Sequence, residues 1–367
     1  MNRTTTRFFL AAALLAQPAV QLFAADHIAA VPNQVRGDEI TPGQQRAVEK
    51  GLKWLASQQA ADGSFGTGQQ GAGAAVTALA GLAFMEAGNL PGRGEYADNV
   101  SRCQKFILDS CQESGLIAGA DAQSPMYGHG FATLFLGELY GMSGDDSIKE
   151  KLQKAVALIE RTQSTQPGND GGWRYQPVPI DADISVTICQ VMALRAARDS
   201  GIKVEKDVVD KAIKYVRACQ NGDGGFSYQA LMNGAGGSAF PRSAAGVAAL
   251  YYAGVFQGTD LERGLKYLQQ FTPGRAPAAI GPNGQPADVQ GFYFYGHYYA
   301  VQAMFLAGGD YWTSWYPAIR DQLISRQAAD GNWTGDFTDD YATSMALIIL
   351  QMPNRYLPVY SGKGPGS

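Results

Sequence analysis

The chain has 367 residues, of which 46% are hydrophobic and 17% charged, with 45 glycines and 17 prolines. This apolar content is enough for a large core and excludes a wholly disordered chain. The formal net charge is −4 and no cluster of lysine and arginine residues occurs, so we expect no nucleic-acid partner.

The N-terminal segment has the pattern of a secretory signal peptide. Arg3 and Arg7 precede an apolar run that ends at Ala16, and small residues surround Ala25. The run is shorter than the ~20 residues that span a bilayer, so we expect export to the periplasm or exterior and no membrane span in the mature chain. The expected organisation is a signal peptide (1–25), a linker (26–42), a single domain (43–360) and a tail (361–367).

Four variants of one turn recur along the rest of the chain. They begin at Asp62, Asp170, Asp223 and Asp330, at intervals of 108, 53 and 107 residues. In each, glycine comes next and Phe or Trp stands two positions after that glycine. Degenerate copies at 114–117 and 275–278 fill the two long intervals. The sequence therefore contains six units with a period of about 54 residues.

Each unit holds two helical patterns. The helix before the turn is amphipathic, as the spacing of Val48, Leu52 and Leu55 indicates. The helix after the turn is apolar on all sides, as in 74–87, 184–197, 244–256 and 342–350, and must be surrounded by protein. Six buried helices inside six amphipathic ones predict an all-α fold, an (α/α)6 toroid. An open solenoid is the alternative, but it needs polar terminal repeats and neither end is more polar than the middle.

The repeat resembles a known family motif. Unit one reads Lys50-Gly51-Leu52-Lys53-Trp54-Leu55, followed by Gln59, Gly63 and Phe65, and Gln, Gly and Phe or Trp recur in the same register in units four and six. This is similar to the QW repeat of squalene cyclases and protein prenyltransferase β-subunits, which implies a single α/α toroid. We expect the glutamine to bond the first amides of the following helix, and the aromatic residue to brace the turn. The four cysteines are expected in the core.

Polar residues stand where the inner helices begin. Because all units run in the same direction, these entrances are expected to form one rim at the mouth of the barrel, with donors at the helix N-termini. The candidates are His129, Asp181, Asp183, Arg242, Tyr295, His297 and Asp340. The two histidines come from opposite units and cannot easily share an ion, so we expect no metal and no cofactor. Each could instead be a packed, hydrogen-bonded histidine.

Asp181-Ala182-Asp183-Ile184 resembles the DxDD motif of squalene and class II terpene cyclases. The resemblance implies that Asp183 is the proton donor and Asp181 its neighbour, although Ile184 replaces the last aspartate. Either aspartate could alternatively cap the following helix. Arg242 could pair with Asp183 or Asp340, or bind an anionic group such as a diphosphate.

Three functions remain open. The first is binding of an isoprenoid or other apolar ligand in the barrel mouth, with acid catalysis by Asp183. The second is a non-catalytic scaffold for a ligand or a protein partner. The third is a carbohydrate-active barrel, in which the aromatic cluster at 311–316 could stack sugars. An open apolar cavity beneath Asp183 favours the first function, and a lumen filled by side chains favours the second.

We predict that the exported protein begins near Ala25, because the small residues there follow the apolar run at the distance that signal cleavage requires. N-terminal sequencing of protein from the periplasm or medium checks this. Recovery of an uncleaved chain only by membrane extraction would contradict it.

Overall fold

The computed structural model describes residues 39–66, 73–119, 123–230, 237–274, 292–335 and 337–360. These residues form twelve α-helices and two short 3-10 turns, with isolated bridges but no strand. The helices are α1 (Pro42–Gln58), α2 (Ala74–Glu86), α3 (Ala97–Asp109), α4 (Pro125–Ser143), α5 (Asp146–Thr162), α6 (Ile184–Asp199), α7 (Lys206–Ala218), α8 (Phe240–Tyr252), α9 (Thr259–Gln269), α10 (Tyr293–Ala307), α11 (Gly309–Arg326) and α12 (Asp339–Gln351). The 3-10 turns are Met352–Asn354 and Pro358–Tyr360.

The helices form two concentric rings. The even-numbered helices are almost wholly buried, and each packs against the even-numbered helix before and after it. Helix α12 packs against α2, which closes the inner ring. The odd-numbered helices lie outside and keep an exposed face. The predicted all-α (α/α)6 toroid is confirmed.

The turn glycines fix how closely neighbouring repeats approach. The backbone at Gly63, Gly115, Gly171, Gly224 and Gly331 has φ between 86° and 111°, which L side chains rarely adopt. Each of these glycines also lies against the backbone of the next outer helix. A Cβ at Gly331 would stand 2.7 Å from the carbonyl oxygen of Lys50 in α1. The last repeat thereby contacts the first.

The repeat glutamines do not bond the amides that the sequence suggested. The Nε2 of Gln327 donates to the Gly331 carbonyl and to the Ala47 carbonyl of α1, both at 2.8 Å. The same pair of bonds, to the turn glycine and to the next outer helix, is made by Gln59, Gln163 and Gln220. The expectation is wrong because the side-chain nitrogen, a donor, faces carbonyl oxygens. The glutamines therefore join adjacent repeats.

Hydroxyl groups of the inner helices bond the turn amides instead. The Thr343 hydroxyl accepts from the Trp333 amide at 3.0 Å. Thr77, Thr187 and Ser243 do the same for the turns of units one, three and four. The turn is thus tied to its own inner helix by a hydroxyl and to the next outer helix by a glutamine.

The folded domain includes residues that the sequence assigned to the linker. Glu39 is buried, and its Oε1 accepts from Trp312 Nε1 at 2.7 Å. The Thr41 side chain caps α1 by accepting from the Gln44 amide. The folded domain therefore includes residues 39–42, whereas the predicted signal peptide and tail lie outside the described residues. None of the described helices is long and apolar enough to cross a bilayer.

We predict that Gly331→Ala destabilises the protein by about 2–3 kcal/mol, because the turn holds this residue at a positive φ that alanine disfavours and the added Cβ would strike the Lys50 carbonyl. Urea unfolding at neutral pH measures the loss. Gly222→Ala is the matched control, since a Cβ there meets nothing within 4 Å, and should change the free energy of unfolding little. Equal effects of the two substitutions would refute the closing contact.

Candidate functional site

The entrances of neighbouring inner helices are hydrogen-bonded side by side. The amide of Met126 in α4 donates to the carbonyl of Tyr175, just before α6, at 3.1 Å. The amide of Ile184 in α6 donates to the carbonyl of Tyr228, before α8, at 3.0 Å. These bonds define one end of the toroid, which we call the mouth.

Asp183 caps α6 at the mouth and is fully buried. Its Oδ1 accepts from the amides of Ser185 and Val186 at 2.8 and 2.9 Å. Its Oδ2 lies 3.4 Å from an Arg174 nitrogen, and Arg174 Nε lies 3.3 Å from Asp181 Oδ2. Burial raises the pKa of Asp183 to about 6, while the amides and Arg174 favour the carboxylate.

Arg174 is the residue that sequence reasoning missed. Its guanidinium lies 4.5 Å from the Tyr175 ring and 5.4 Å from the Tyr228 ring, in cation–π geometry. It makes the ion pair with Asp183 that we expected of Arg242. The sequence carries one signal for it, because unit three alone has a charged residue directly after the aromatic residue of the turn.

Arg242 instead ties α8 to its own turn. Its Nε donates to the Phe226 carbonyl at 3.1 Å, and its Nη2 donates to the Gly237 carbonyl at 2.9 Å. The expected pairing with Asp183 or Asp340 is therefore wrong. The physical reason is that Arg242 lies in the first helical turn of α8, so its guanidinium reaches carbonyl groups of the segment that precedes the helix.

Aromatic side chains lie next to Asp183 and Arg174 and continue from them across the mouth. We call this set the collar: Tyr127, Tyr175, Tyr228, Phe292, Tyr295, Phe337 and Tyr341. On one side the hydroxyls of Tyr175 and Tyr228 are hydrogen-bonded, and the rings of Tyr127 and Tyr175 are 6.0 Å apart. Burial raises the pKa of the Tyr127 hydroxyl well above its usual value, and nearby Tyr295 and Asp183 add to this effect.

The other side of the collar is open to solvent. Phe292 and Phe337 are 51% and 49% exposed, and their rings are 5.9 Å apart. Phe337 lies 5.1 Å from Tyr341, and Phe292 lies 6.5 Å from Tyr295. Four of the seven collar residues, Tyr127, Phe292, Tyr295 and Tyr341, stand at inner-helix entrances, where the sequence directs attention. Tyr175, Tyr228 and Phe337 lie in the segments before the inner helices and were missed, because helical spacing gives no information about residues outside the helices.

Below the collar, side chains of α10 cross the lumen. Tyr295 packs on Tyr299 at 4.8 Å, and the Tyr299 hydroxyl lies 3.4 Å from Cys189 Sγ of α6. Tyr298 packs at 6.2 Å on Phe131 of α4, the helix opposite α10 in the ring. At this level the lumen is filled by buried side chains. A cavity of about 10 Å³ lies elsewhere, between α6, α7 and α8.

The two candidate histidines point between the rings and not into the mouth. His129 Nδ1 accepts from the Ile117 amide at 3.1 Å, so its Nε2–H donates to the Ala155 carbonyl of α5 at 3.2 Å. It stands where other repeats have the Thr or Ser that bonds the turn. Its bond to Ala155 also links unit two to the next outer helix. The repeat glutamine makes this link in other units, but unit two has Cys111 at the glutamine position. The expectation that His129 and His297 lie on the rim is wrong, because each histidine lies on the outward face of its helix.

His297 has the same register in α10 and is buried among aromatic rings. Its ring centroid lies 4.9 Å from Phe240, 4.5 Å from Tyr293 and 6.0 Å from Trp315 of α11. Burial lowers the pKa of His297 to about 3 and that of His129 to about 4. Both rings are therefore neutral at physiological pH.

Asp340 lies near the start of α12, which Thr338 caps. Its Oδ2 accepts from the Gly66 amide at 2.7 Å, joining unit six to unit one. The structure thus brings Asp181, Asp183 and Tyr295 together and assigns Asp340 to a contact between repeats. Within the described ranges no three His, Cys, Asp or Glu side chains are placed to hold a metal ion.

Comparison with known proteins establishes the family. The model of the prenyltransferase alpha-alpha toroid domain matches residues 21–116 and 93–290. The chain therefore belongs to the prenyltransferase α/α-toroid family. A sequence search of curated proteins finds no match.

Solved structures of other activities share the fold at low identity. The GH76A α-1,6-mannanase of Salegentibacter sp. HEL1_6 is 10% identical, with a TM-score of 0.64 over 85% of this chain and 99% of that one. The type II terpene cyclase MstE from Scytonema is 14% identical, with a TM-score of 0.57 over 86% and 100%. Cellobiose 2-epimerase from Spirochaeta thermophila is 13% identical, with a TM-score of 0.63 over 85% and 97%. The likeness extends to the toroid alone.

We predict that His129 makes the protein less stable as the pH falls from 6.5 towards 4. In this window the unfolded histidine binds a proton that the buried ring does not, at a cost of up to about 1.4 kcal/mol per pH unit. His129→Gln should reduce the dependence of unfolding free energy on pH by that amount, measured by urea unfolding at pH 4.5, 5.5 and 6.5. The exposed Lys53→Gln serves as control and should leave the slope unchanged. An unaltered slope in His129→Gln would disprove the buried neutral ring.

Proposed function

We propose that the protein binds an uncharged, isoprenoid-like apolar ligand at the collar and does not convert it. The observation that carries the proposal is the pair of half-exposed rings, Phe292 and Phe337, continuous with Tyr295 above a filled lumen. Exposed aromatic surface of this kind is typical of binding sites, because covering it releases water. The filled lumen limits the ligand to a shallow position.

The charges at the mouth favour an uncharged ligand over a diphosphate. Arg174 is already paired with Asp181 and Asp183, which leaves one excess negative charge in this group. The Arg242 guanidinium donates to backbone carbonyls. A diphosphate would therefore meet repulsion from the carboxylates, while both arginines named here already have partners.

The contacts of Asp183 argue against acid catalysis. Protonation of an alkene requires a strong acid that is protonated before the reaction. The Asp183 carboxylate accepts from two amides and faces Arg174, and these interactions stabilise its ionised form. Ile184 also replaces the last acidic residue of the DxDD pattern. Asp183 is better suited to hold Arg174 and the collar tyrosines in place.

The structural neighbours supply the ligands for a test. MstE is described in complex with geranylgeranyl dihydroxybenzoate, which carries a prenyl chain, and the mannanase in complex with α-1,6-mannotriose. The prenyl ligand of MstE supports an apolar ligand at the collar of this protein. The mannotriose ligand of the mannanase represents the carbohydrate alternative. Together with the signal peptide that we predict from the sequence, the proposal locates binding outside the cytoplasm.

We predict that farnesol binds with a Kd at least tenfold lower than that of farnesyl diphosphate, measured by calorimetry on the full mature chain. Phe292→Ser with Phe337→Ser should weaken farnesol binding by at least tenfold, because burial of an aromatic ring contributes about 1.5–3 kcal/mol. Tyr356→Ser is the matched control, since Tyr356 is 53% exposed and stands beyond α12, in the C-terminal segment. Binding of mannotriose without binding of farnesol would overturn the proposal.

Asp183→Asn separates binding from catalysis. The amide oxygen can still accept from Ser185 and Val186, so the cap should persist and farnesol binding should change by less than about threefold. Incubation of the wild type with geranylgeraniol should leave it unchanged by mass spectrometry. A cyclised product formed by the wild type and lost in Asp183→Asn would establish acid catalysis and overturn the non-catalytic part of the proposal.

A further inference from the structure

The end of the toroid opposite the mouth is crossed by the C-terminal segment Met352–Tyr360, which we call the clasp. The Asn354 side-chain nitrogen donates to the Glu86 carbonyl at 2.9 Å, and the Val359 amide donates to Glu138 Oε2 at 3.2 Å. Val359 and Tyr360 are buried, and the Tyr360 ring lies 6.4 Å from Phe305 of α10. The clasp is thereby bonded to α2 and α4 and packed on α10.

Two carboxyl groups lie beneath the clasp without solvent. Glu86 is the last residue of α2 and Glu138 lies in α4, and their side chains are 0% and 1% exposed. Neither oxygen of Glu86, nor Oε1 of Glu138, has a hydrogen-bond partner in the part of the chain that the structure describes. A buried carboxylate without partners is costly, so such groups take up a proton instead.

The groups that face this pair cannot neutralise both charges. They are Tyr252 of α8, Tyr298 of α10, Tyr316 of α11, Tyr360 of the clasp, and Arg195 and Asp199 of α6. Arg195 Nε lies 2.5 Å from Asp199 Oδ2, so its charge is already compensated. Arg355 of the clasp lies 3.9 Å from Glu39. Burial raises the pKa of Glu138 to about 8, and the nearby Asp199 adds to this shift. Burial also raises the pKa of Glu86 well above its usual value; Glu138 adds to the shift and the Tyr360 hydroxyl opposes it.

We propose that the clasp is a proton-dependent closure of the far end of the lumen, docked while Glu86 and Glu138 are protonated and released when they ionise. Release lets both carboxylates reach water. In the docked state, among the described residues, Glu138 accepts from the Val359 amide and neither oxygen of Glu86 has a hydrogen-bond partner. The bond from the Val359 amide alone is too little to offset two buried charges. The inference is independent of the ligand proposed for the mouth.

The direction of the pH dependence follows from the raised pKa of the docked state. Docking binds protons that the released clasp would lose, so its free energy is most favourable below the ordinary glutamate range. It weakens as the pH rises through the docked pKa of Glu138, which is about 8. The closure is therefore expected to hold at pH 6 and to loosen at pH 9.

Hydrogen–deuterium exchange of the full mature chain tests the proposal. After correction for intrinsic rates, amides of the peptide covering 357–360 should lose at least tenfold in protection between pH 6 and pH 9. Amides of α4 in the same sample report global unfolding and should lose less than threefold. A parallel loss in both peptides, or no loss in either, would overturn the proposal without any variant.

Substitutions assign the effect to the two carboxyls. Glu86→Gln with Glu138→Gln mimics the protonated pair, so the clasp peptide should keep its protection from pH 6 to pH 9. Glu113→Gln is the matched control, since Glu113 is exposed, and it should behave as the wild type. If the double variant loses protection with pH as the wild type does, the carboxyls are not responsible and the proposal fails.

Discussion

The contact between a turn glycine and the backbone of the next outer helix sets the geometry of the whole molecule. A side chain at Gly331 would displace Lys50 and separate the last repeat from the first. The Gln327 bonds to Gly331 and Ala47 hold the same approach in place. Five repeats contact the next outer helix at the same point of the turn in the part of the chain that the structure describes, and the six repeats close into a ring without polar end caps. The buried inner helices are a consequence of that closure.

Closure also decides where polar groups can be accommodated. At the mouth, Asp183 is buried but receives two amides and Arg174, so its carboxylate is compensated. At the far end, Glu86 is buried, and neither of its side-chain oxygens has a hydrogen-bond partner among the described residues. The two ends therefore differ in chemistry although they belong to the same helices. The mouth is held by ion pairing and aromatic packing, whereas the closure that we propose at the far end depends on protonation of its buried carboxyl groups.

The repeat explains why a histidine that resembles an active-site residue has a structural role. His129 stands at the position where Thr77 and Thr343 bond their turns, and it performs the same task with a ring nitrogen. Its second nitrogen reaches α5 and replaces the link that a glutamine provides elsewhere. His129 is thus a variant of the hydroxyl residue that bonds the turn amide in other repeats. The collar, by contrast, has no counterpart in the repeat consensus.

The sequence by itself determined the period, the two classes of helix, the ring and the place of Asp183 at the start of an inner helix, because these depend on spacing within one repeat. It could not determine which way His129 and His297 face, which arginine meets Asp183, or that α10 fills the lumen. Those outcomes depend on contacts between repeats that are far apart in the chain, such as Tyr298 with Phe131. Periodicity assigns a residue to a ring, but the partner that its side chain reaches is set only when the ring closes.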